Sequence, residues 1–470
     1  MGGFKSAMMR KKIKIFIVFM FLFLNGNTVV YGNTDLDIVA KSAILIEETT
    51  GNVLYSKNAN VKMYPASLTK MLTATILLEH FDKDDVITVG FEINDIAWDS
   101  SKAGHFVGES ILVENVIRAL ILPSGNDTAN TVASAVAKKV TNNNNLPFSE
   151  AQVVFAKLMN EKAKELGALN SNFVNAHGYH DEDHYTTAFD MSLIAAEAIK
   201  NELIRNIVSE TYFEGYGADS MNSEIRTQIY SWNTHNLLLR SREYTYEYAT
   251  GIKTGFTNQA GHSLASSAEK DGKKLIAVVL FSPNPGRWED TIALFDYGFE
   301  NFSFQVVQLE NEILTEEELV NVTLDDEKVL EIIAVDEFVD FLNNDDLEKV
   351  ERTITYDEKY IFIDEEDPDK IFLKAPIEKG EVLGTVTYKL KGKTLFSGNV
   401  ISSRGLVERT FQNDVIYYAN RAREVGFSSQ AAPFWFLALV LVVTIIRIIR
   451  AIKASRRRHL FRKRRVRRKY

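Results

Sequence analysis

The chain has 470 residues, of which 46% are hydrophobic, and this is enough for two or three domains with buried cores. It has no cysteine, which excludes disulfide frameworks, thiolate metal sites and cysteine nucleophiles. The net charge of −9 is unevenly spread, because residues 1–32 and 447–470 contain 18 cations and no acid, leaving residues 33–446 at −27.

The first segment has the pattern of a secretory signal peptide. Cations between residues 5 and 14 lead into an apolar run over residues 13–24, and small residues follow near Gly32. The apolar run is too short for a comfortable membrane span. We therefore predict a signal peptide over residues 1–32 that is cleaved after Gly32, with an uncleaved anchor as the alternative.

Residues 34–303 are predicted to form one α+β domain. Two β-prone runs flank a turn within residues 40–57, and helical periodicity follows over residues 67–80, 111–122, 128–140 and 150–166. Strand patterns return at residues 248–254, 261–268 and 274–281, before a helical pattern at 290–297. Because strands lie at both ends with helices between them, we expect the early and late strands to share one sheet.

The remaining chain predicts a small β domain and a membrane attachment. Acids alternate with β-branched and aromatic residues over residues 310–370, which favours strands, and residues 306–403 are predicted to form the small β domain. Residues 404–430 are predicted to be a juxtamembrane linker with an amphipathic helix. Residues 431–449 contain one charge, Arg447, and predict a transmembrane helix. The basic tail, residues 450–470, is expected to stay in the cytoplasm and to contact lipid rather than nucleic acid.

The strongest chemical signal is Ser67-Leu-Thr-Lys70, which follows Pro65. Pro65 marks the start of a helix, so Ser67 is expected in the first turn, with Lys70 on the same face. A desolvated lysine near another cation can accept the serine proton, and a helix N-terminus favours an oxyanion. By itself the motif is weak, because a capped helix with a solvated lysine has the same pattern.

Two more motifs follow in order. Ser124-Gly-Asn126 lies in a turn between two predicted helices and would present a hydroxyl and an amide to a cleft, although helix capping is the alternative. Lys253-Thr-Gly255 lies at a strand end, where Lys253 and Gly255 share a face and the absent side chain leaves room for a ligand. An exposed lysine in a turn is the alternative there. The three motifs in this order, each in the structural context that its chemistry requires, are much less likely to occur by accident than any one of them alone.

With these motifs the sequence resembles the serine-type D-alanyl-D-alanine carboxypeptidases of the peptidase S11 type, the low-molecular-weight penicillin-binding proteins. Five other segments look like signatures of that family: residues 175–178, 185–191, 232–236, 260–264 and 375–380. The resemblance extends over residues 36–403. It implies the penicillin-binding, β-lactamase-like transpeptidase fold, with an antiparallel sheet between helices and a helical subdomain, followed by a small all-β domain.

The resemblance also implies roles for the motif residues. Ser67 would be the acylated nucleophile and Lys70 its base, while Ser124 and Asn126 would relay protons and hold the substrate amide. Lys253 would supply electrostatic stabilisation. Substrate binding is implied for a second set: Lys253, Thr254, Gly255, Phe256 and Arg287. The backbone N–H groups of Ser67 and Phe256 would form the oxyanion hole.

The function that the resemblance implies is cell-wall maturation. The substrates would be peptidoglycan stem pentapeptides, which lose their terminal D-alanine, and β-lactam antibiotics would acylate the same serine. No cofactor is expected. The catalytic domain is expected on the outer face of the cytoplasmic membrane, held by a single span.

A β-lactamase is one alternative, since it uses the same three motifs. The class A type needs a Glu-x-x-Leu-Asn loop to position water, and residues 165–170 contain one residue too many for it. The extra β domain and the predicted anchor also disfavour this function.

A metal-dependent enzyme is the second alternative, because His177, His180 and His184 are residue types that zinc accepts. Their segment contains glycine and has a loop pattern, so no helix is available to fix the three rings on one face. A solvated loop is favoured, and no metal site is expected.

A catalytically silent wall-binding protein is the third alternative. Such a protein would keep the fold and use the acidic β domain to contact partners. All motif residues are present, which counts against a loss of chemistry.

Overall fold

The computed structural model describes residues 36–218, 226–363, 371–424 and 432–466. The predicted signal peptide over residues 1–32 lies outside the described residues. The chain divides into two units, one of Met1–Phe304 with Phe341–Asn344 and one of Gln305–Asp340 with Asp345–Tyr470.

The first unit contains one large antiparallel sheet. The strands of this part of the chain are β1 (Ser42–Glu47), β2 (Val53–Lys57), β3 (Val86–Thr88), β4 (Ser110–Leu112), β5 (Tyr212–Tyr216), β6 (Ile229–Asn233), β7 (Ala249–Thr257), β8 (Gly261–Lys270) and β9 (Lys273–Ser282). Five of them form the sheet in the order β2-β1-β9-β8-β7, while β3 pairs with β4 and β5 with β6. This confirms the prediction that early and late strands share one sheet. All six residues of β1 are buried, as expected for a strand that is covered on both faces.

Helices pack around this sheet. They are α1 (Thr69–His80), α2 (Val113–Ile121), α3 (Asn126–Thr141), α4 (Phe148–Glu165), α5 (Ala188–Lys200), α6 (Glu202–Val208), α7 (Leu237–Arg240) and α8 (Gly286–Asn301). The four early helical patterns and the late one are confirmed, with ends shifted by a few residues. The patterns of α5 and α6 were missed, although Thr187 caps α5 by accepting the N–H of Asp190. Helix α1 is buried from Thr69 to Leu77, and this buried stretch includes the polar side chains of Lys70 and three threonines.

The later strands confirm the small β domain. They are β10 (Phe302–Gln308), β11 (Ile313–Val320), β12 (Val329–Ala334), β13 (Phe338–Asn343), β14 (Glu351–Tyr356), β15 (Ile361–Ile363), β16 (Ile371–Lys374), β17 (Val382–Leu390) and β18 (Lys393–Ser402). Seven of them form a sheet in the order β14-β17-β18-β12-β11-β16-β15, and β10 pairs with β13. Alternation on β12 buries Leu330 and Ile332 and exposes Glu331, as the pattern predicts.

Two helices end the described chain, α9 (Phe411–Glu424) and α10 (Ala432–Val466). Helix α9 falls within the predicted linker. Helix α10 includes residues 432–449 of the predicted transmembrane segment 431–449, but among the described residues no helix combines the length and the apolar character that a membrane span requires. That prediction is therefore not supported. The helix continues into the basic run, and Arg447 within its apolar part donates a hydrogen bond of 2.9 Å to the carboxylate of Asp414.

Candidate active site

Ser67 lies in a tight turn that leads directly into α1. The turn is a single 3-10 helix, Ala66–Leu68, so Ser67 precedes the α-helix rather than occupying its first turn as predicted. Ala66 has φ +49, a conformation that is uncommon for a residue with a side chain. Lys70 still lies three residues further on, and its Nζ is 3.0 Å from the Ser67 Oγ.

The Lys70 amine is fully buried and has three oxygen neighbours. Its Nζ lies 3.0 Å from Ser67 Oγ, 2.7 Å from Asn126 Oδ1 and 3.0 Å from the carbonyl oxygen of His177. The amide and carbonyl oxygens can only accept hydrogen bonds. A neutral amine has two N–H groups for these two acceptors, and its lone pair then faces the Ser67 hydroxyl. The contacts around Lys70 therefore suit a base that takes the Ser67 proton.

The electrostatic surroundings favour this neutral form. Burial lowers the pKa of Lys70 well below its ordinary value, and the nearby charge of Lys253 lowers it further, while Asp127 acts in the opposite direction. The pKa of Lys253 is itself lowered to about 7, first by its burial and then by Arg287. The two lysines thus sit in a site where adding a proton is costly.

The Asn126 side chain accepts a hydrogen bond from Lys70 and does not cap helix α3. Its Nδ2 donates to Ser100 Oγ at 3.0 Å, which orients Oδ1 towards the Lys70 amine. Ser124 precedes α3 with φ +60 and is 3% exposed. Within the described part of the chain, no hydrogen bond joins the Ser124 hydroxyl to Ser67 or Lys70.

Asp127, the next residue of α3, has a structural function that the sequence did not reveal. Its carboxylate accepts the backbone N–H groups of Ala103 at 2.9 Å and Gly104 at 2.8 Å. Because Asp127 follows Asn126 directly, these bonds hold the loop around Gly104 beside the Lys70 contact.

Strand β7 packs against the Ser67 turn through Gly255. A Cβ atom at Gly255 would lie 3.0 Å from the carbonyl oxygen of Pro65 and 3.3 Å from the Cβ of Ala66. The space that the sequence assigned to a ligand at Gly255 is therefore occupied by the turn. Lys253 and Thr254 of the same strand are nearly buried, with 2% and 7% of their surfaces exposed.

Two further residues that were predicted to bind substrate are Phe256, near the end of β7, and Arg287, which contacts this strand from α8. Phe256 is half exposed, and its ring stacks on His262 with 4.5 Å between ring centroids. Arg287, in the first turn of α8, donates from Nη1 to the carbonyl oxygen of Gly255 at 3.3 Å. Burial lowers the pKa of Arg287 to about 10. The structure thus brings Ser67, Lys70 and Asn126 into direct contact and places a second group of cations at β7.

The loop over residues 175–178 completes the Lys70 site. His177 supplies the carbonyl oxygen that faces Lys70, and Gly178 has φ +82. A Cβ atom at Gly178 would lie 1.8 Å from the carbonyl oxygen of Ala66, so only glycine allows the loop to approach the Ser67 turn. The segment resembled a family signature, but no property of the sequence indicated that a backbone oxygen at His177 would matter.

The histidines of this loop serve structural contacts. His184 Nδ1 accepts the N–H of Val174, and its Nε2 lies 2.9 Å from Thr69 Oγ1. Burial lowers the pKa of His177 to about 3 and that of His184 to about 4, so both rings are neutral at pH 7. Across the residues that the structure describes, no group of three or more His, Asp or Glu side chains is placed to hold a metal ion.

Glu165 does not reach the site. It is the last residue of α4, its side chain is 69% exposed, and it forms an ion pair of 3.0 Å with Lys162. The backbone N–H of Asn170 donates a hydrogen bond of 2.7 Å to the carboxylate of Asp190. This segment therefore does not form the water-positioning loop of a class A β-lactamase.

Comparisons with known proteins agree with this arrangement. Residues 29–284 match the model of the peptidase S11 family, described as D-alanyl-D-alanine carboxypeptidase. The chain is 29% identical over 379 residues to D-alanyl-D-alanine carboxypeptidase DacF of Bacillus subtilis, covering 79% of this chain and 87% of that protein. It is 28% identical over 412 residues to DacA of Haemophilus influenzae, covering 84% and 93%. The solved structure of penicillin binding protein 5 from Haemophilus influenzae has a TM-score of 0.57 and 27% identity, covering 80% of this chain and 100% of that chain.

Proposed function

The chain belongs to the D-alanyl-D-alanine carboxypeptidases of the peptidase S11 family, and we propose that it removes the terminal D-alanine from peptidoglycan stem pentapeptides through an ester on Ser67. The observation that carries this mechanism is the buried Lys70 amine. In the neutral amine, two N–H groups donate to Asn126 Oδ1 and to the His177 carbonyl oxygen, which leaves the lone pair for the Ser67 hydroxyl, whose Oγ lies 3.0 Å away.

Acylation begins when Ser67 Oγ attacks the carbonyl carbon of the penultimate D-alanine and its proton moves to Lys70 Nζ. The negative charge that develops on the carbonyl oxygen is stabilised by the backbone N–H groups of Ser67 and Phe256. The peptide C–N bond then breaks, and the departing D-alanine amine receives a proton from Lys70 through Ser124. The product is an ester between Ser67 and the shortened stem peptide.

Deacylation repeats these steps with water as the nucleophile. Water attacks the ester carbon and gives a proton to Lys70, the same N–H groups hold the oxyanion, and the Ser67 oxygen leaves with that proton. With Glu165 exposed at the end of α4, no carboxylate of this segment assists the water. We expect the ester formed by penicillin to hydrolyse slowly for this reason.

Recognition of the substrate depends on its terminal carboxylate. Lys253, Thr254 and Arg287 bind this group, with Asn126 holding the substrate amide. The cations are needed locally because residues 33–446 carry a net charge of −27, which repels an anionic peptide at long range. Arg287 is held beside strand β7 because its Nη1 donates a hydrogen bond of 3.3 Å to the carbonyl oxygen of Gly255.

The cellular location forms part of the proposal. The catalytic unit works outside the cytoplasmic membrane, and the C-terminal segment associates with that membrane. The signal-like pattern of residues 1–32 and the 13 cations of residues 447–470 support this. Fractionation of cells tests it, because the full chain should sediment with membranes and a chain ending at residue 424 should be released outside the cytoplasm.

Labelling with penicillin tests the chemistry. After incubation with benzylpenicillin, intact-protein mass spectrometry should show one adduct, and peptide mapping should place it on Ser67. Ser67→Ala should abolish the adduct and the release of D-alanine from diacetyl-L-lysyl-D-alanyl-D-alanine. Ser209→Ala, a change at an exposed serine, is the matched control and should leave both unchanged. An adduct that persists in Ser67→Ala would contradict the assignment.

A further inference from the structure

A cavity of about 390 Å³, open to solvent on one side, is lined in part by Pro123, the residue before Ser124, and has no role in the mechanism above. Its walls come from the loop around Ala103, from Pro123 beside Ser124, and from β6 with the following His235. The volume is at the lower end of the roughly 300–1,000 Å³ that is typical of small-molecule sites. The cavity can therefore hold a side chain or a small polar group.

The loop that forms one wall is fixed in place. Asp127 accepts the N–H groups of Ala103 and Gly104, at 2.9 and 2.8 Å. From the opposite side, Trp232 Nε1 donates to the carbonyl oxygen of Ala103 at 3.0 Å, and Gln228 Nε2 donates to that of Gly104 at 2.7 Å. Four hydrogen bonds hold two consecutive residues, so the cavity is preformed rather than a gap beneath a loose loop.

Two lining residues, Pro123 and His235, connect the cavity to the proposed site. Pro123 directly precedes Ser124, which passes the proton to the departing amine in the proposed mechanism. Burial and the nearby charges of Lys253 and Arg287, the carboxylate-binding cations of the proposed mechanism, lower the pKa of His235 to about 4. The cavity therefore lies beside the groups to which the proposed mechanism assigns the proton transfer to the released amine and the binding of the terminal carboxylate.

The charge of the lining favours an anion. Among the described residues that line the cavity, none is Asp or Glu, and Lys102 at the rim supplies one exposed cation. Glu109 lies behind the wall, where it is fully buried and accepts a hydrogen bond of 2.6 Å from the Tyr230 hydroxyl. The cavity thus presents one exposed positive charge and several neutral hydrogen-bonding groups.

We propose that this cavity accepts the side chain of the residue that is released, so that the enzyme also hydrolyses D-alanyl bonds to D-amino acids larger than D-alanine, preferring a carboxylate-bearing side chain that reaches Lys102. This inference rests on the proposed function, since it uses the same Ser67 ester. The C–N bond between D-alanine and the last residue breaks, water supplies the hydroxyl of the new D-alanine carboxylate, and its proton goes to the released amine.

Peptides that differ only in the last residue test the proposal. The substrates are diacetyl-L-lysyl-D-alanyl-D-X, with X being alanine, glutamine or glutamate, and kcat/KM is measured by release of the free amino acid. We expect the glutamine peptide to be cleaved, and the glutamate peptide to be preferred over it by about threefold, as an exposed ion pair allows. Lys102→Gln should remove that preference and Lys102→Glu should reverse it.

Two controls separate the possible outcomes. Lys157→Gln removes an exposed cation from α4, away from the cavity, and should keep the wild-type preference, which excludes an effect of overall charge. Benzylpenicillin acylation should be unchanged in both Lys102 variants. Cleavage of the alanine peptide alone, or a preference that is insensitive to Lys102, would overturn this inference and leave the proposed function intact. Absence of both peptide cleavage and acylation in the wild type would remove the two together.

Discussion

Gly178→Ala is the substitution that should separate backbone placement from catalytic chemistry. Gly178 contributes no side chain to the site, yet it lies against the turn that carries Ser67. The added Cβ atom would lie 1.8 Å from the carbonyl oxygen of Ala66 and 2.8 Å from Thr69 Oγ1. Both neighbours are held by the start of α1, so the new atom cannot be accommodated by rotating a flexible side chain.

The structure sets the size of the expected effect. Real Cβ contacts are essentially never below 3.0 Å, so the turn and the loop must separate by about 1.2 Å. Because Ala66 directly precedes Ser67, most of this movement displaces the nucleophile or the His177 carbonyl that faces Lys70. A displacement of about 1 Å can cost about 100-fold in rate. Alanine at φ +82 adds about 1 kcal/mol of destabilisation.

Gly167→Ala is the matched control. Gly167 has φ +84, so alanine meets the same backbone strain, but its nearest neighbour would be Leu193 Cδ1 at an ordinary 3.8 Å. In urea denaturation both variants should lose about 1 kcal/mol of unfolding free energy from backbone strain, and Gly178→Ala should lose about 1–3 kcal/mol more because the turn and the loop are forced apart. Only Gly178→Ala should acylate about 100-fold more slowly with a fluorescent penicillin. Equal acylation rates in the two variants would refute the proposed packing of the loop against the Ser67 turn.

Three other predictions concern charge in the site. Since the pKa of Lys253 is about 7 in the free enzyme and a carboxylate binds its protonated form, KM for a D-alanyl-D-alanine peptide should rise towards tenfold per pH unit above pH 7, and a flat profile would contradict this. Asn126→Asp places a carboxylate at 2.7 Å from Lys70 Nζ, where Coulomb's law gives about 6 kcal/mol at an effective dielectric of about 20. If less than half of this energy stabilises protonated Lys70, acylation slows about 100-fold at neutral pH and the pH profile of acylation moves to higher pH. An unshifted pH profile would exclude Lys70 as the base. Glu165→Gln should leave the hydrolysis rate of the penicillin ester unchanged, because Glu165 is exposed and paired with Lys162, and slower hydrolysis would revive the β-lactamase alternative.

Much of the fold could be predicted because its elements have long regular patterns. The hairpin of β1 and β2, the early helices and the three late strands each show periodicity over many residues, and the single sheet follows from their order along the chain. The contact between Ser67 and Lys70 was also accessible, since residues three apart on a helical turn lie on one face. Local spacing was sufficient for these features.

Contacts that depend on the backbone of distant residues could not be predicted. The His177 carbonyl that binds Lys70 belongs to a residue 107 positions away, and a carbonyl oxygen is present at every position of the chain. Gly255 was interpreted as room for a ligand, because the sequence does not show that the turn at Pro65 fills that room. The transmembrane prediction was based on the length and apolar character of residues 431–449 and on the basic tail, and it did not include the ion pair between Arg447 and Asp414.

The position of β1 within the sheet determines when the catalytic unit can fold. Ser42 pairs with Leu280 and Glu47 with Leu275, so the strand nearest the N-terminus needs one of the last strands of the unit as its neighbour. A growing polypeptide that has not yet reached Ser282 contains the nucleophile but cannot close the sheet. Such a high contact order slows folding. The large sheet of the catalytic unit is therefore completed only after the synthesis of β9, and amino-terminal fragments that end before it should remain unfolded and sensitive to proteases.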